Sequence, residues 1–243
     1  LAPTLALELY RVLHVVGGLC DALGIRWWVS HGTLLGALRD SGLSRHADDA
    51  EIDVPEADVE VLQGPRMRGA LARNGYEISF DPRGRCFKVW PAGSEQAAAE
   101  GDDQLVDQSW WLPQQRVGSP SLDIYILQSP DAGGGADRHY ISNEEFHCNA
   151  KVCTQKWKAA WVASFREVTF GSGRVRVPVG AESYLSQVYG ADWSTTVRPH
   201  RWAAAQGQGF EPLDVRLMAK RAAEPSGPLA DLVLPPPQVG LEV

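Results

Sequence analysis

Apolar residues recur at helical spacing from Thr4 to about Leu23, at Leu7, Leu9, Val12, Leu13, Val15, Val16, Leu19 and Leu23, and Gly24 stands where a helix C-cap belongs. This predicts one amphipathic helix. Arg26-Trp27-Trp28-Val29-Ser30 is a short aromatic and β-branched run that reads as a buried strand, closed by the turn His31-Gly32-Thr33 and a helix of two or three turns through Arg39. Beyond Gly42 a polar loop leads to Ala50-Glu51-Ile52-Asp53-Val54, whose alternation suits a strand with both acids on one face. Residues 56–73 read as helical with a break at Gly64-Pro65, and residues 76–80 and 86–90 as a hairpin around Asp81-Pro82-Arg83-Gly84.

The pattern then fades. Residues 91–119 are rich in Gly, Ala, Gln and acid and read as a long loop or insertion, whereas Leu122-Asp123-Ile124-Tyr125-Ile126-Leu127 is the clearest strand in the chain. Gly133-Gly134-Gly135 marks another flexible connection. Strands are expected at 168–170 and 175–179 around Gly171-Ser172-Gly173, then a short helix at 182–189, another helix after Phe210, and an extended Pro-rich tail from Pro225. The expected organisation is a main domain over 1–202, carrying the insertion at 91–119, and a C-terminal helix and tail over 203–243.

Composition narrows the function classes. With 243 residues, 44% hydrophobic and 22% charged, the chain has the make-up of a globular protein, and no apolar stretch approaches the ~20 residues needed to cross a bilayer. A soluble domain is expected. The chain opens on Leu1 without the basic and apolar segments of a signal peptide, which leaves open a preceding anchor or targeting segment. A net charge of -7 without a Lys/Arg cluster argues against nucleic-acid binding. An acidic protein still binds a nucleotide when its carboxylates bring metal ions. Four cysteines, Cys20, Cys86, Cys148 and Cys153, are too few for a disulfide scaffold in a chain this long, and Cys20 and Cys86 read as small buried hydrophobes.

Glu51, Asp53 and Asp123 stand out by position. Glu51 and Asp53 alternate on one strand, and Asp123 interrupts an apolar one. An ionised carboxylate in apolar surroundings is costly unless a cation or basic group neutralises it. Acids at i and i+2 point to one side of a strand, spaced to grip one or two hard, oxygen-seeking ions such as Mg²⁺ or Mn²⁺. That chemistry serves phosphoryl and nucleotidyl transfer. Asp53 and Asp123 are therefore expected on neighbouring strands with carboxylates within about 6 Å of each other. In His31-Gly32-Thr33, Gly lets a ligand approach the backbone and the helix N-terminus offers unpaired N–H groups to a phosphate; a plain turn and cap is the competing reading.

Together these residues resemble a family signature. Trp27 to Arg39 with its Gly32-Thr33-Leu34-Leu35-Gly36 core, then Gly42, then Asp48-Asp49-Ala50-Glu51-Ile52-Asp53-Val54 is similar to the LicD/fukutin pattern of a Gly-Thr-Leu-Leu-Gly turn leading to an acidic strand. Leu122-Asp123-Ile124-Tyr125 resembles its third acidic strand, and Phe170-Gly171, Val177-Pro178-Val179, Tyr184-Leu185, Tyr189-Gly190 and Asp192-Trp193 its C-terminal block. The resemblance covers roughly residues 5–200, with 91–119 unmatched. It implies an α/β (α+β), nucleotidyltransferase-like fold, a mixed β-sheet flanked by helices. It also implies a metal-dependent transferase moving a phosphorylated alcohol, such as phosphocholine or ribitol phosphate, from a CDP-linked donor to a glycan or glycoprotein acceptor.

Carried over by position, Glu51, Asp53 and Asp123 would be the metal-binding and catalytic acids, Gly32 and Thr33 the phosphate-side turn, and Arg39 a charge near donor or acceptor. The family usually has Asp where Glu51 stands, and the preceding loop is about two residues longer, so either Asp49 or Glu51 takes the first ligand position. Two alternatives accompany this reading: a nucleotidyltransferase with a small-molecule or protein acceptor, and a non-catalytic subunit of a larger assembly. The resemblance implies the Golgi or secretory lumen for a eukaryotic member and the cytoplasm for a bacterial one.

Weaker signals remain. Some members of the resembling family carry a zinc-binding insertion, and His147, Cys148 and Cys153 offer soft ligands for Zn²⁺, with His139 the nearest fourth. A Cys148–Cys153 disulfide and free thiols are the alternatives. Among nine tryptophans, Trp110-Trp111, Trp157 and Trp161 suggest a sugar-stacking platform against the default of core packing. Lys88 would reach a phosphate or stay solvated.

Overall fold

The computed structural model describes residues 3–44, 47, 49–81, 86–94, 96–97, 117–118, 120–128, 139–142, 156–197, 213–214 and 238. Helix α1 (Pro3–Leu23) opens the chain and buries Leu9, Val12, Leu13, Val16, Leu19 and Cys20. It ends as its Gly24 signal requires: Gly24 adopts φ 72°, its N–H donates to Asp21 O (3.2 Å), and the Ile25 N–H reaches Cys20 O (2.8 Å). This is the paired 6→1 and 5→2 closure that satisfies the last carbonyls. Strand β1 (Trp28–Val29) is shorter than the aromatic run suggested, and α2 (His31–Arg39) begins at His31 itself.

Next come β2 (Ala50–Pro55), a 3-10 turn at Glu56–Asp58, α3 (Val59–Leu62) and α4 (Pro65–Arg73). The single helical stretch expected at 56–73 is thus split, because Gly64 takes an extended ψ of 164° and Pro65 opens α4 where its missing N–H costs nothing. Strands β3 (Tyr76–Asp81) and β4 (Cys86–Pro91) form the expected hairpin, whose turn lies outside the described residues. Within the expected insertion, β5 (Gln96–Ala97) and β6 (Val117–Gly118) pair as a short ribbon. Strand β7 (Leu122–Gln128) is followed by β8 (His139–Ser142) and β9 (Lys156–Lys158), the hairpin β10 (Phe165–Phe170) and β11 (Gly173–Pro178), and α5 (Ala181–Tyr189).

Finally β12 (Thr196–Val197) pairs with β13 (Leu213–Asp214). Residues 213–214 are therefore extended, where a helix was expected after Phe210; a cross-chain partner decides their conformation, which local composition does not reveal. The Pro-rich tail lies outside the described residues except Gln238, which exchanges backbone hydrogen bonds with the Asn74 side chain (3.0 and 3.1 Å).

The main sheet has the order β1-β2-β7-β4-β3, extended by β8 and β9 beyond β7. It is mixed: β2 and β7 run parallel, and the other pairs are antiparallel. A parallel pair needs a crossover, supplied by α3, α4 and the β3–β4 hairpin. Alternation gives the sheet two unlike faces. Ile52, Val54, Leu122, Ile124, Ile126, Phe87 and Val89 lie on one, buried beneath α1 and α4. Each contributes about 1.5–3 kcal/mol on leaving water. A one-residue slip in β2 or β7 would put acids into that core, so the apolar set fixes the register. Among the described residues, no helix is long and apolar enough to cross a membrane.

Candidate functional site: a buried acidic face

The second sheet face carries the chemistry. The parallel register sets Glu51 beside Asp123 and Asp53 beside Tyr125, and the antiparallel register on the other side sets Lys88 beside Asp123 and Cys86 beside Tyr125. Glu51, Asp123 and Lys88 therefore form one row across three strands. Asp53 lies one step along the same face, diagonal to Asp123, with Glu51 as the directly opposed acid. Asp53 and Asp123 are buried.

Each acid has protein partners of a different kind. Glu51 serves the N-terminus of α2: its Oε2 accepts the Thr33 N–H (3.1 Å), the Gly32 amide also donates to it, and the Glu51 N–H donates to Thr33 Oγ1 (2.8 Å). It is a capping box closed across tertiary structure. Ser30, at the N-cap position, makes no side-chain cap bond, and its Oγ is buried without a hydrogen-bond partner among the described residues. Gly32 is required for close approach, because a Cβ there would stand 3.0 Å from Glu51 Oε2. The Gly32 and Thr33 amides expected to face a phosphate thus face Glu51.

Asp53 Oδ2 accepts the Trp157 indole N–H at 2.7 Å, and its Oδ1 lies 3.9 Å from His31 Nε2. Asp123 accepts from Ser121 Oγ (3.1 Å) on Oδ1 and is ion-paired with Lys88 through Oδ2.

The electrostatics follow from burial. Burial pushes the Glu51 carboxyl well above the usual range, the charge of Asp49 adds to the rise, and Asp123 adds further, against the pull of the Thr33 and Gly32 amides. Burial lowers His31 to about 4, so it is neutral at neutral pH. For Lys88 burial opposes the charge, but Asp123 outweighs it and the ammonium pKa is raised. Four acids, Asp49, Glu51, Asp53 and Asp123, therefore share a buried neighbourhood with Lys88. Backbone strain lies here too: His31 has φ 45°, unusual for a residue with a Cβ, and its ring packs on Tyr125 with centroids 4.6 Å apart.

These donors suit a hard divalent cation in kind and in charge. All are carboxylates, and their excess negative charge is what such an ion offsets. Among the described residues, however, no three His, Cys, Asp or Glu side chains already converge at metal-holding spacing.

Other expected residues lie elsewhere. Arg39 ends α2, six residues past Thr33 and about 9 Å along the axis, and is forked onto Asp40 (2.7 and 2.9 Å). The helix does not bring it to the Thr33 end. Trp161 is half-buried beside Gly180, with the Lys158 ammonium 5.4 Å from its ring centroid. Cys20 and Cys86 are buried free thiols, as their apolar settings implied. Asp48, Trp110, Trp111, His147, Cys148 and Cys153 lie outside the described residues, and the zinc and disulfide readings go with them.

A mixed sheet flanked by helices, with buried carboxylates on one face, is an α/β architecture with a candidate acidic centre. Residues 24–179 match the LicD/FKTN/FKRP nucleotidyltransferase domain family, and the chain belongs to that family. An uncharacterized protein of Rickettsia prowazekii (strain Madrid E), RP689, is 32% identical over 76 residues. That match covers 31% of this chain and 28% of the relative's length.

Proposed function

We propose that the chain is a divalent-metal-dependent transferase that moves a phosphorylated alcohol, of phosphocholine or ribitol-phosphate type, from a CDP-linked donor to a glycan acceptor. One observation carries the reading: Glu51, Asp53 and Asp123, the acids that the resemblance puts at motif positions, share one sheet face, near the charge of Asp49, with Lys88 ion-paired to Asp123. Asp53 and Asp123, with Asp49 or Glu51, would hold Mg²⁺ or Mn²⁺. The bound ion would supply the positive charge that positions the diphosphate and offsets charge developing on the leaving CMP. The acceptor hydroxyl oxygen would form a bond to the β-phosphorus as the bond from that phosphorus to the bridging oxygen breaks, the hydroxyl proton would pass to solvent, and CMP would depart with the bridging oxygen. Lys88, held beside Asp123, would face a phosphate oxygen.

A second reading, a non-catalytic LicD-like subunit, is favoured by the engagement of all three acids with protein donors and by the lack of a preformed three-ligand group among the described residues. Release of CMP from CDP-linked alcohols, followed by chromatography with Mg²⁺ or Mn²⁺ and candidate glycans, separates the two. Metal-dependent CMP release lost in Asp53→Asn supports the transferase; no release from any CDP-alcohol, with or without acceptor, supports the subunit.

A further inference from the structure

We propose that the groove between α1 and the β10–β11 hairpin is a binding site for an uncharged saccharide, one sugar ring at a time. The groove encloses a cavity of about 210 Å³, smaller than the ~300–1,000 Å³ of a pocket for a drug-sized ligand and suited to a single pyranose ring. It lies away from the acids. Trp28 opposes Asp53 across β1 and β2, whereas Trp27 turns its ring to the backbone of α1 at Gly17, where an added Cβ would stand 2.6 Å from it.

The sequence of α1 opens the groove. Tyr10, His14, Gly17, Gly18 and Asp21 recur on one helix face and form one wall. Two adjacent glycines weaken a helix interior. Gly17 is required by the Trp27 ring, and Gly18, one turn beyond His14, leaves bare backbone in the wall. The hairpin supplies the facing wall through Glu167, Ser172, Arg174 and Arg176, over a floor that includes the buried rings of Trp27 and Phe170.

Charge decides what such a groove holds. Arg176 is ion-paired with Asp21 (2.9 Å) and Arg174 with Glu167 (3.0 Å), so each acid in the wall already has its base. Asp21 also accepts the Trp27 indole N–H (2.9 Å), and the Arg176 guanidinium stands 5.5 Å from the Trp27 ring centroid. An anion would have to displace a carboxylate from its guanidinium, and a cation the reverse. His14 and Ser172, both exposed in the walls, have no side-chain partner among the described residues. Imidazole and hydroxyl each donate and accept. A sugar hydroxyl has the same double character, and the C–H face of its ring packs on apolar surface such as that floor. The inference does not rest on the transferase reading. A glycan anchored here would give a transferase a remote acceptor contact, and a non-catalytic subunit its ligand.

The test is ¹H–¹⁵N correlation NMR of the full chain at pH 7.5, titrated with the methyl glycosides of glucose, galactose, mannose and N-acetylglucosamine, with glucuronate and glucosamine as charged counterparts. The Trp27 indole N–H, assigned by its absence in Trp27→Phe, is the reporter. The expected result is a saturable shift of that resonance with at least one neutral glycoside, at a dissociation constant on the order of 1 mM. His14→Ala combined with Ser172→Ala should weaken binding about 5-fold or more with the melting temperature kept, and Asp53→Asn should bind as the parent does. No saturable shift with any neutral glycoside, or unchanged affinity in the His14→Ala, Ser172→Ala double variant, overturns the site and leaves the acidic-face reading standing. Tighter binding of glucuronate or glucosamine overturns the uncharged ligand class, and loss of the shift in Asp53→Asn moves the sugar to the acidic face and overturns the groove.

Discussion

Lys88→Met isolates the countercharge that pairs with Asp123. It keeps the length and apolar stem of the side chain and removes the ammonium that pairs with Asp123. The Lys88 side chain is 18% exposed and that of Asp123 6%, so the pair is largely desolvated. Removing one partner of a buried pair costs about 3–5 kcal/mol because the other charge is stranded. Ser121 Oγ still donates to Asp123 (3.1 Å) and the lysine end touches solvent, which reduces the expected loss to about 2–3 kcal/mol. For a chain of this size that is a fall of roughly 4–12 °C in melting temperature.

The assay is urea unfolding at pH 7.5, backed by thermal melts. The pKa of Lys88 is raised, so its contribution is fully present below the unfolded lysine value and is lost only as pH climbs through the folded one. Neutral pH therefore reads the whole effect. Lys88→Met with Asp123→Leu should recover much of the loss, since an apolar pair strands no charge. Saturating Mg²⁺ should rescue the single variant more than it stabilises the parent, by up to about 2.7 kcal/mol at a hundred times the dissociation constant. A loss below about 0.5 kcal/mol, within the range of ordinary surface substitutions, would refute the buried electrostatic face.

Gly32→Ala should cost about 1–2 kcal/mol in urea unfolding, because the new Cβ displaces Glu51 Oε2 from the amides that cap α2; a neutral result would contradict that cap. Asp53→Asn should fold nearly as stably as the parent, since the amide oxygen still accepts from Trp157 while a repulsive charge is removed, yet Mn²⁺ titration should show binding lost. His31 binds a proton in the unfolded chain near its ordinary value but only at about 4 when folded, so stability falls as pH drops from 6.5 toward 4, by up to about 3 kcal/mol. His31→Asn, which tolerates the left-handed backbone, should flatten that part of the pH–stability curve; an unchanged slope would mean His31 is not held neutral.

The parts of the fold written in periodic apolar pattern were legible in the sequence: α1 with its Gly24 closure, β2, β7, the β3–β4 hairpin and α5. Asp123 could be singled out because a carboxylate inside Leu-Asp-Ile-Tyr-Ile-Leu has no local partner, and Glu51 and Asp53 because they alternate. What pattern could not reveal is which group answers each charge. The Lys88–Asp123 pair follows from antiparallel register, the Trp157–Asp53 bond from a contact across 104 residues, and the Glu51 cap from β2 lying against α2. The Gly32-Thr33 pair read as a phosphate-side turn or a plain turn and cap, and a tertiary carboxylate, Glu51, answers its amides. Arg39, six residues along α2, lies more than one and a half turns from Thr33, and what it faces in a donor or acceptor is not written in local spacing.

The central claim is that this acidic face binds a divalent cation together with a cytidine nucleotide. Isothermal titration of the purified chain with CTP and CDP, in Mg²⁺, in Mn²⁺ and in chelator, tests it without assuming an acceptor. Metal-dependent nucleotide binding in the parent, absent in Asp53→Asn, is the predicted result. No heat of binding for any nucleotide in either metal would leave the chain a non-catalytic member of its family.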